Sequence, residues 1–377
     1  MTTTQVLSGA ALLLLATACA DSIPVEPTAV GLTAAGARAS LVATTDEVSS
    51  VSPALGAVNE KLAASGSSLR VAKMELMFSA AAYNAATSTV VFANDRARDF
   101  GQAWVKGDPR RGGNSGVTYA IGGNKPVPPI ALNAAGTGLV FANPTQLVAQ
   151  IEEGMQAWRG RTCSSASIAR VGIPTGMNPD FMDDFLLERA AEFASYGQPS
   201  DIVQGLWQPR EYFWAAAKFA GLDSAQGEGI IGVTWTFAFF DDNGTPADFS
   251  DDFPTDIDNN GMQDIGLAEV HYAGWLDLTK LPRVVGYIWD NQNRAGFATD
   301  YFSIIAHESG HALGLAHFGK VFVNRKSITF LPDGTPQVSI DDVKYAPKAL
   351  MNAVYVAGRS EIGGSDHSSF CHLWASN

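Results

Sequence analysis

Positive charge is scarce in this sequence. Lys and Arg total 25 against 38 Asp and Glu, a formal net charge of −13. A surface of that sign repels phosphate backbones and anionic headgroups, so nucleic acid is excluded as a partner. No apolar run approaches the ~20 residues that cross a bilayer, which leaves an attached lipid as the one expected route to a membrane. Cysteine is rarer still, with three in 377 residues, too few for a disulfide-built scaffold or a cysteine-rich metal cluster. Hydrophobic residues make up 46% of the chain, enough for one large core or two small ones. The chain is expected to act as a monomer.

The N-terminus has an export pattern. Residues 9–18, GAALLLLATA, form an apolar stretch too short for a membrane helix and end in small residues before Cys19. Leu15-Ala16-Thr17-Ala18-Cys19 resembles the lipobox of bacterial lipoproteins, where the cysteine is lipidated after cleavage. Against it, the first Lys or Arg is Arg38, whereas export signals usually begin with positive charge. The alternative is an ordinary signal peptide cut after Ala18 or Ala20. Either way the protein is expected outside the cytoplasm, extracellular or at the surface or outer membrane of a bacterium. In an oxidising compartment the remaining Cys163 and Cys371 are expected to pair, two separate buried thiols being the alternative.

Residues 20–68 are rich in Ala, Ser and Thr with little periodicity, and read as a tether or processed segment. Residues 69–114 read as an N-terminal extension. From 115 onward the grammar is clearer. Val117–Ile121 alternates like a strand, and Asn143-Pro144 starts a helix with Asn as cap. Leu147, Ile151, Met155 and Trp158 give that helix a buried stripe. Residues 183–196 predict another amphipathic helix, and Gly232–Phe240 and Leu267–Tyr272 predict strands. A helix is expected over 299–314 and a last one over about 367–374, capped by Asp366. Strands mixed with helices imply an α+β or α/β domain over 115–377.

Residues 307–317 read HESGHALGLAH, an H-E-x-x-H-x-x-G-x-x-H pattern. At ~100° per residue His307 and His311 lie only ~40° apart on a helix, so both imidazoles reach one ion. Gly314 lets the chain leave the helix and return His317 as the third ligand. Three imidazoles leave a fourth position open, the arrangement of a catalytic zinc site. Glu308, ~100° round the helix, is placed to take a proton from water rather than to bind the metal.

The motif resembles that of the metzincin zinc peptidases, and HESGHALGLAHFG is similar to the matrixin branch. Such enzymes carry a methionine turn beneath the metal, which Ala349–Tyr355 matches with Met351. The resemblance implies an α+β catalytic domain over 115–377: a twisted mixed sheet with an antiparallel edge strand, a zinc-binding helix and a C-terminal helix. It implies a zinc endopeptidase acting on polypeptides, with Glu308 catalytic. Leu267–Tyr272 is expected as the edge that aligns an extended peptide. The chain departs from the family at about 175–228, read as an insertion, and no Pro-Arg-Cys-Gly cysteine precedes the domain. Tyr355 lies four residues after Met351, not two, and is given no catalytic role.

A weaker pattern lies at Asp256, Asp258, Asn260 and Asp264 with Gly261, like the start of a calcium loop, though position 12 is Leu267 instead of Glu. It is read as a calcium site or as a solvated acidic turn. His271, His367 and His372 have no ligand spacing, and His271 is read chiefly as a surface or core residue. The alternative to an enzyme is an exported binding or adhesion module with structural zinc and calcium. A structural site has no use for a carboxylate beside its first histidine, which favours the enzyme.

Overall fold

The computed structural model describes residues 49–374 apart from 80–87, 124–125, 162, 165–166, 190–194, 246–248, 278, 280–284, 291–297, 324–328, 331–335, 338–342, 347 and 356–359. The leader over 1–19 with Cys19, and the first part of the expected tether, lie outside the described residues.

The strands of the eleven-stranded main sheet that matter here are β1 (Ser49–Val51), β2 (Leu69–Ser79), β3 (Val90–Phe92), β4 (Val117–Ile121), β5 (Ile168–Arg170), β6 (Ile202–Gln208), β7 (Ile230–Asp241), β8 (Met262–Ala273) and the short β9 (Val354–Tyr355). The helices that matter here are α1 (Ala54–Ala64), α2 (Pro144–Trp158), α3 (Phe181–Leu186), α4 (Arg210–Phe219), α5 (Tyr301–Ala312) and α6 (Gly364–Trp374). Across the sheet the order is β1-β3-β2-β7-β8-β6-β4-β5, with β9 pairing onto β2. Strands β8, β6, β4 and β5 run parallel, and β7 runs antiparallel to β8. The fold is mixed α/β on a mixed sheet, compatible with the α+β class.

Local signals set the helices that carry the site. Asn143 accepts from Thr145 N and Pro144 opens α2, whose Leu147, Ile151, Met155 and Trp158 are buried. Asp300 caps α5 through Ser303 N. Helices α2 and α5 pack side by side, and Trp158 Nε1 donates to Ala306 O at 2.8 Å. At the far end of α5, where helix carbonyls lose their partners, two more indoles step in. Trp104 Nε1 donates to Ala312 O and Trp374 Nε1 to Leu313 O.

Three expectations need correction. Leu267–Tyr272 is not an edge: within β8 it lies between β7 and β6. The helices α3 and α4 cover one face of it, and the Glu269 and His271 side chains there are fully buried with partners. The boundary at 115 does not divide the sheet either, because β2 is 11 residues long, almost wholly buried, and paired to β7 over most of its length. The tether gives way to structure at Ser49, for α1 buries Leu55, Val58 and Leu62 at helical spacing within an Ala-rich context. The helix expected over 183–196 is described only as α3, which ends at Leu186 with Glu188 at φ 54° just beyond. Residues 190–194 lie outside the described residues.

Candidate metal centre

Helix α5 brings the three histidines together as the spacing predicts. His307 and His311 stand one turn apart, and Gly314 at φ +96° turns the chain so that His317 swings back. The Nε2 atoms of His307 and His317 each lie 3.0 Å from His311 Nε2. Two nitrogens on one zinc ion at ~2.0–2.1 Å from tetrahedral ligands stand ~3.3 Å apart, so the three are spaced for a shared ion. Their tautomers agree. His307 Nδ1 donates to Leu350 O and His311 Nδ1 to Leu315 O, each at 2.8 Å, since a carbonyl only accepts. With the proton on Nδ1, the Nε2 lone pairs of both rings face the common centre. Burial, reinforced by its histidine neighbours, holds His307 down at about 3 and His317 well below the usual range. Both rings are thus held in the neutral form that a metal ligand requires.

Glu308 stands beside this cluster and is fully buried. Its Oε2 accepts from Thr234 Oγ1 at 2.6 Å, and its Oε1 has no hydrogen-bond partner. A buried carboxylate oxygen left so is costly unless something else comes to it. Burial pushes the Glu308 carboxyl up to about 7, the range of a group that both takes and gives a proton near neutrality. The close approach of β7 depends on Gly232, where an added Cβ would sit 2.4 Å from Glu308 Oε1.

The segment read as a methionine turn packs against α5. Met351 is buried, and its Sδ would be 2.5 Å from a Cβ placed at Gly310, so glycine there is what admits the sulfur. Buried Asp366 fixes the turn. Its carboxylate accepts from Leu350 N at 2.9 Å, Met351 N at 3.0 Å and Gly363 N at 2.7 Å. Asp366 lies within the first turn of α6 rather than ahead of it, so its bonds reach the methionine turn as well as the start of its own helix. Phe318 N donates to Met351 O and Asn352 Nδ2 to Phe318 O, tying the segment after His317 to the same turn. Tyr355 OH accepts from Asp300 N at the start of α5.

A contributor that sequence reasoning missed is Glu75 of β2. Its Oε1 lies 3.1 Å from His311 Nδ1 and its Oε2 is 2.9 Å from Lys73 Nζ. Burial alone would raise this carboxyl, but His311 and Lys73 outweigh it and hold Glu75 at about 2. The same pairing raises His311 against the effect of its own burial. Nothing around Glu75 in the sequence marks it, because its partner is far along the chain.

Comparison with protein-family models and with curated proteins finds no match. The chemistry of the site therefore stands on its own geometry.

The remaining candidates fall elsewhere. Cys163 and Cys371 are joined in a disulfide between the segment after α2 and α6, with His367 Nδ1 3.5 Å from Cys371 Sγ. Asp256, Asp258 and Asp264 come together in one acidic loop able to hold a cation. The loop is also closed by its own bonds: Asp256 accepts from Asn260 N and Gly261 N, Asn260 Oδ1 accepts from Met262 N, and Arg110 pairs with Asp264 at 2.8 Å. His271 takes no part in the centre. It points from the opposite face of β8, with Nε2 2.9 Å from Asp180 and Nδ1 2.7 Å from the Tyr212 hydroxyl. That cluster, with Glu269 accepting from Phe181 N and Met182 N, seats α3 and α4 on the sheet.

Proposed function

We propose that the chain is a zinc-dependent endopeptidase of the metzincin type, exported by its leader. The observation that carries this reading is the convergence of three Nε2 atoms beside a buried glutamate whose Oε1 is unpartnered. Support also comes from the mixed sheet with antiparallel β7 above α5, and from Met351 against Gly310. His307, His311 and His317 would hold the ion, which when bound supplies a Lewis acid for the scissile carbonyl and lowers the pKa of water. Glu308 Oε1 takes the proton from the attacking water and returns it to the leaving amine. Thr234 holds Oε2, so the carboxylate cannot rotate away while it does so. Glu75 steadies the His311 ring, and Leu350 O that of His307.

One observation favours the second reading, a binding or adhesion module with structural zinc. His307 and Glu308 are fully buried, and the side of β7 where an extended peptide would pair is taken by β2. The experiment that separates the two readings uses the zinc-loaded full chain on an unfolded protein, with and without a chelator, beside Glu308→Ala. The peptidase reading expects chelator-sensitive cleavage that the variant loses. Cleavage retained by a zinc-loaded Glu308→Ala protein would refute the role of Glu308.

A further inference from the structure

A second set of metal donors, softer than the first, lies away from the histidine motif. Cys163 follows α2, and His367 and Cys371 stand one turn apart on α6, at the spacing that brings two helical side chains to one point. The same spacing joins His307 to His311 on α5. His367 Nε2 lies 3.8 Å from Cys163 Sγ and 3.7 Å from Cys371 Sγ, and its Nδ1 lies 3.5 Å from Cys371 Sγ. A disulfide offers the ring no proton and only weak acceptors, so hydrogen bonding gives the imidazole little reason to stand over both sulfurs. Metal ligation does. A nitrogen at ~2.0–2.1 Å and a sulfur at ~2.3 Å from one tetrahedral zinc ion stand ~3.6 Å apart, close to the spacing of Nε2 from each sulfur here. The sulfurs are bonded, with Cα atoms 5.5 Å apart, and to share an ion they need part only to ~3.8 Å. Rotation about the Cα–Cβ bonds supplies that distance without moving the backbone. All three residues are half-buried, so a reductant and an ion can reach them and water can fill a fourth position.

We propose that Cys163, His367 and Cys371 form a redox-gated site for a thiophilic divalent cation such as zinc, open when a dithiol reduces the disulfide. In that exchange the dithiol gives up two hydrogens and closes to its own disulfide, while Cys163 and Cys371 become thiols. Metal binding then takes both as thiolates and returns two protons to solvent. The ion restores the tie between α6 and the segment after α2 that the disulfide made. What depends on that tie is the neighbouring Asp366, whose carboxylate holds Leu350 N and Met351 N. The site thus keeps the first turn of α6 in place in either redox state, and it stands whether or not the histidine centre cleaves peptides.

The test uses the full chain, oxidised or reduced with a phosphine, which competes for metal far less than a dithiol. The phosphorus takes the oxygen of one water and the two sulfurs take its hydrogens. Cobalt(II) is the probe, because thiolate ligation gives a near-ultraviolet charge-transfer band that imidazole and carboxylate ligands do not. The reduced chain is expected to bind one cobalt more than the oxidised chain and to gain the band. Reduced His367→Ala should lose the extra equivalent at cobalt concentrations that fill the wild type, and the double variant Cys163→Ser with Cys371→Ser should lose the band. A reduced chain with no extra equivalent and no band would leave a plain disulfide and overturn the proposal. An extra equivalent without the band would place the ion among oxygen ligands, and a band that survives the double variant would assign it to Cys19; either result overturns the site. Full retention by His367→Ala would remove the imidazole from it. Urea midpoints decide the matter if the reduced chain fails to fold without metal. Zinc is expected to raise the midpoint of the reduced wild type more than that of reduced His367→Ala, since both keep the histidine motif. An equal rise in the two, or none in either, would overturn the proposal.

Discussion

Asp366 offers the sharpest test of how the centre is held. Its buried carboxylate accepts three backbone N–H groups, two of them from the residues that form the methionine turn. A hydrogen bond to a charged acceptor is worth about 1.5–3 kcal/mol, and a buried N–H left without a partner costs about 1–3 kcal/mol. Asp366→Ala strands all three donors, and after allowing for relaxation about 3–6 kcal/mol should be lost, a large part of a typical domain's stability. Asp366→Asn keeps one oxygen but turns an amide donor toward a backbone donor, so about 1–3 kcal/mol is expected. The second consequence reaches the metal. Leu350, whose N–H Asp366 holds, supplies the carbonyl that orients His307, and loss of such a supporting bond weakens metal binding about tenfold. Urea unfolding gives the first number, and zinc competition against a chromophoric chelator gives the second. An Asp366→Asn protein that unfolds within about 0.5 kcal/mol of wild type, with unchanged zinc affinity, would refute the clamp.

Glu308→Gln should keep one zinc per chain and lose all measurable turnover, checked by metal analysis alongside the cleavage assay. Thr234→Val frees the Glu308 carboxylate to rotate, and is expected to lower kcat more than it raises KM. For the metal-free chain, Glu75 has a folded pKa depressed to about 2. The stability it supplies is therefore complete above its unfolded value of ~4.3 and lost as pH falls toward 2. The destabilisation caused by Glu75→Gln should accordingly be largest near pH 6 and vanish near pH 2 in acid-unfolding curves. Reduction of Cys163–Cys371, which closes a loop of 208 residues, should cost about 3–5 kcal/mol, and an unchanged urea midpoint under reductant would contradict that bond's contribution.

What could be read from the sequence was what local chemistry decides. The Asn143-Pro144 start of α2, its stripe through Met155 and Trp158, and the histidine spacing on α5 each depend on a few neighbouring residues. The structure shows all of them. Met351 was legible only because the upstream motif said where to look. Thr234 and Glu75 were not legible, and Asp366 was legible only as a helix cap, since each acts on residues that the fold brings near from elsewhere in the chain. The misplacement of the edge has a single cause. It was taken from the resemblance alone, and nothing within Leu267–Tyr272 reports that β7 and β6 flank it on both sides. The Ala-rich composition around Leu55 and Val58 hid α1 in the same way, because a helix with so small a stripe is visible only once its partner β2 is known.

The charges around the centre explain why these residues tolerate their burial together. Glu75 and Glu308 are buried carboxylates within reach of the histidine cluster, and buried Lys73 pairs with Glu75. Desolvating a charge is costly unless an opposite charge compensates it. Without an ion, the compensation falls on His311, raised by Glu75, and on protonation of Glu308, pushed up to about 7. His307, His311 and His317 would hold a dication through Nε2, and its charge would offset the two carboxylates and favour the charged form of Glu308. On the peptidase reading, metal loading and the acid–base competence of Glu308 are therefore expected to be gained or lost together.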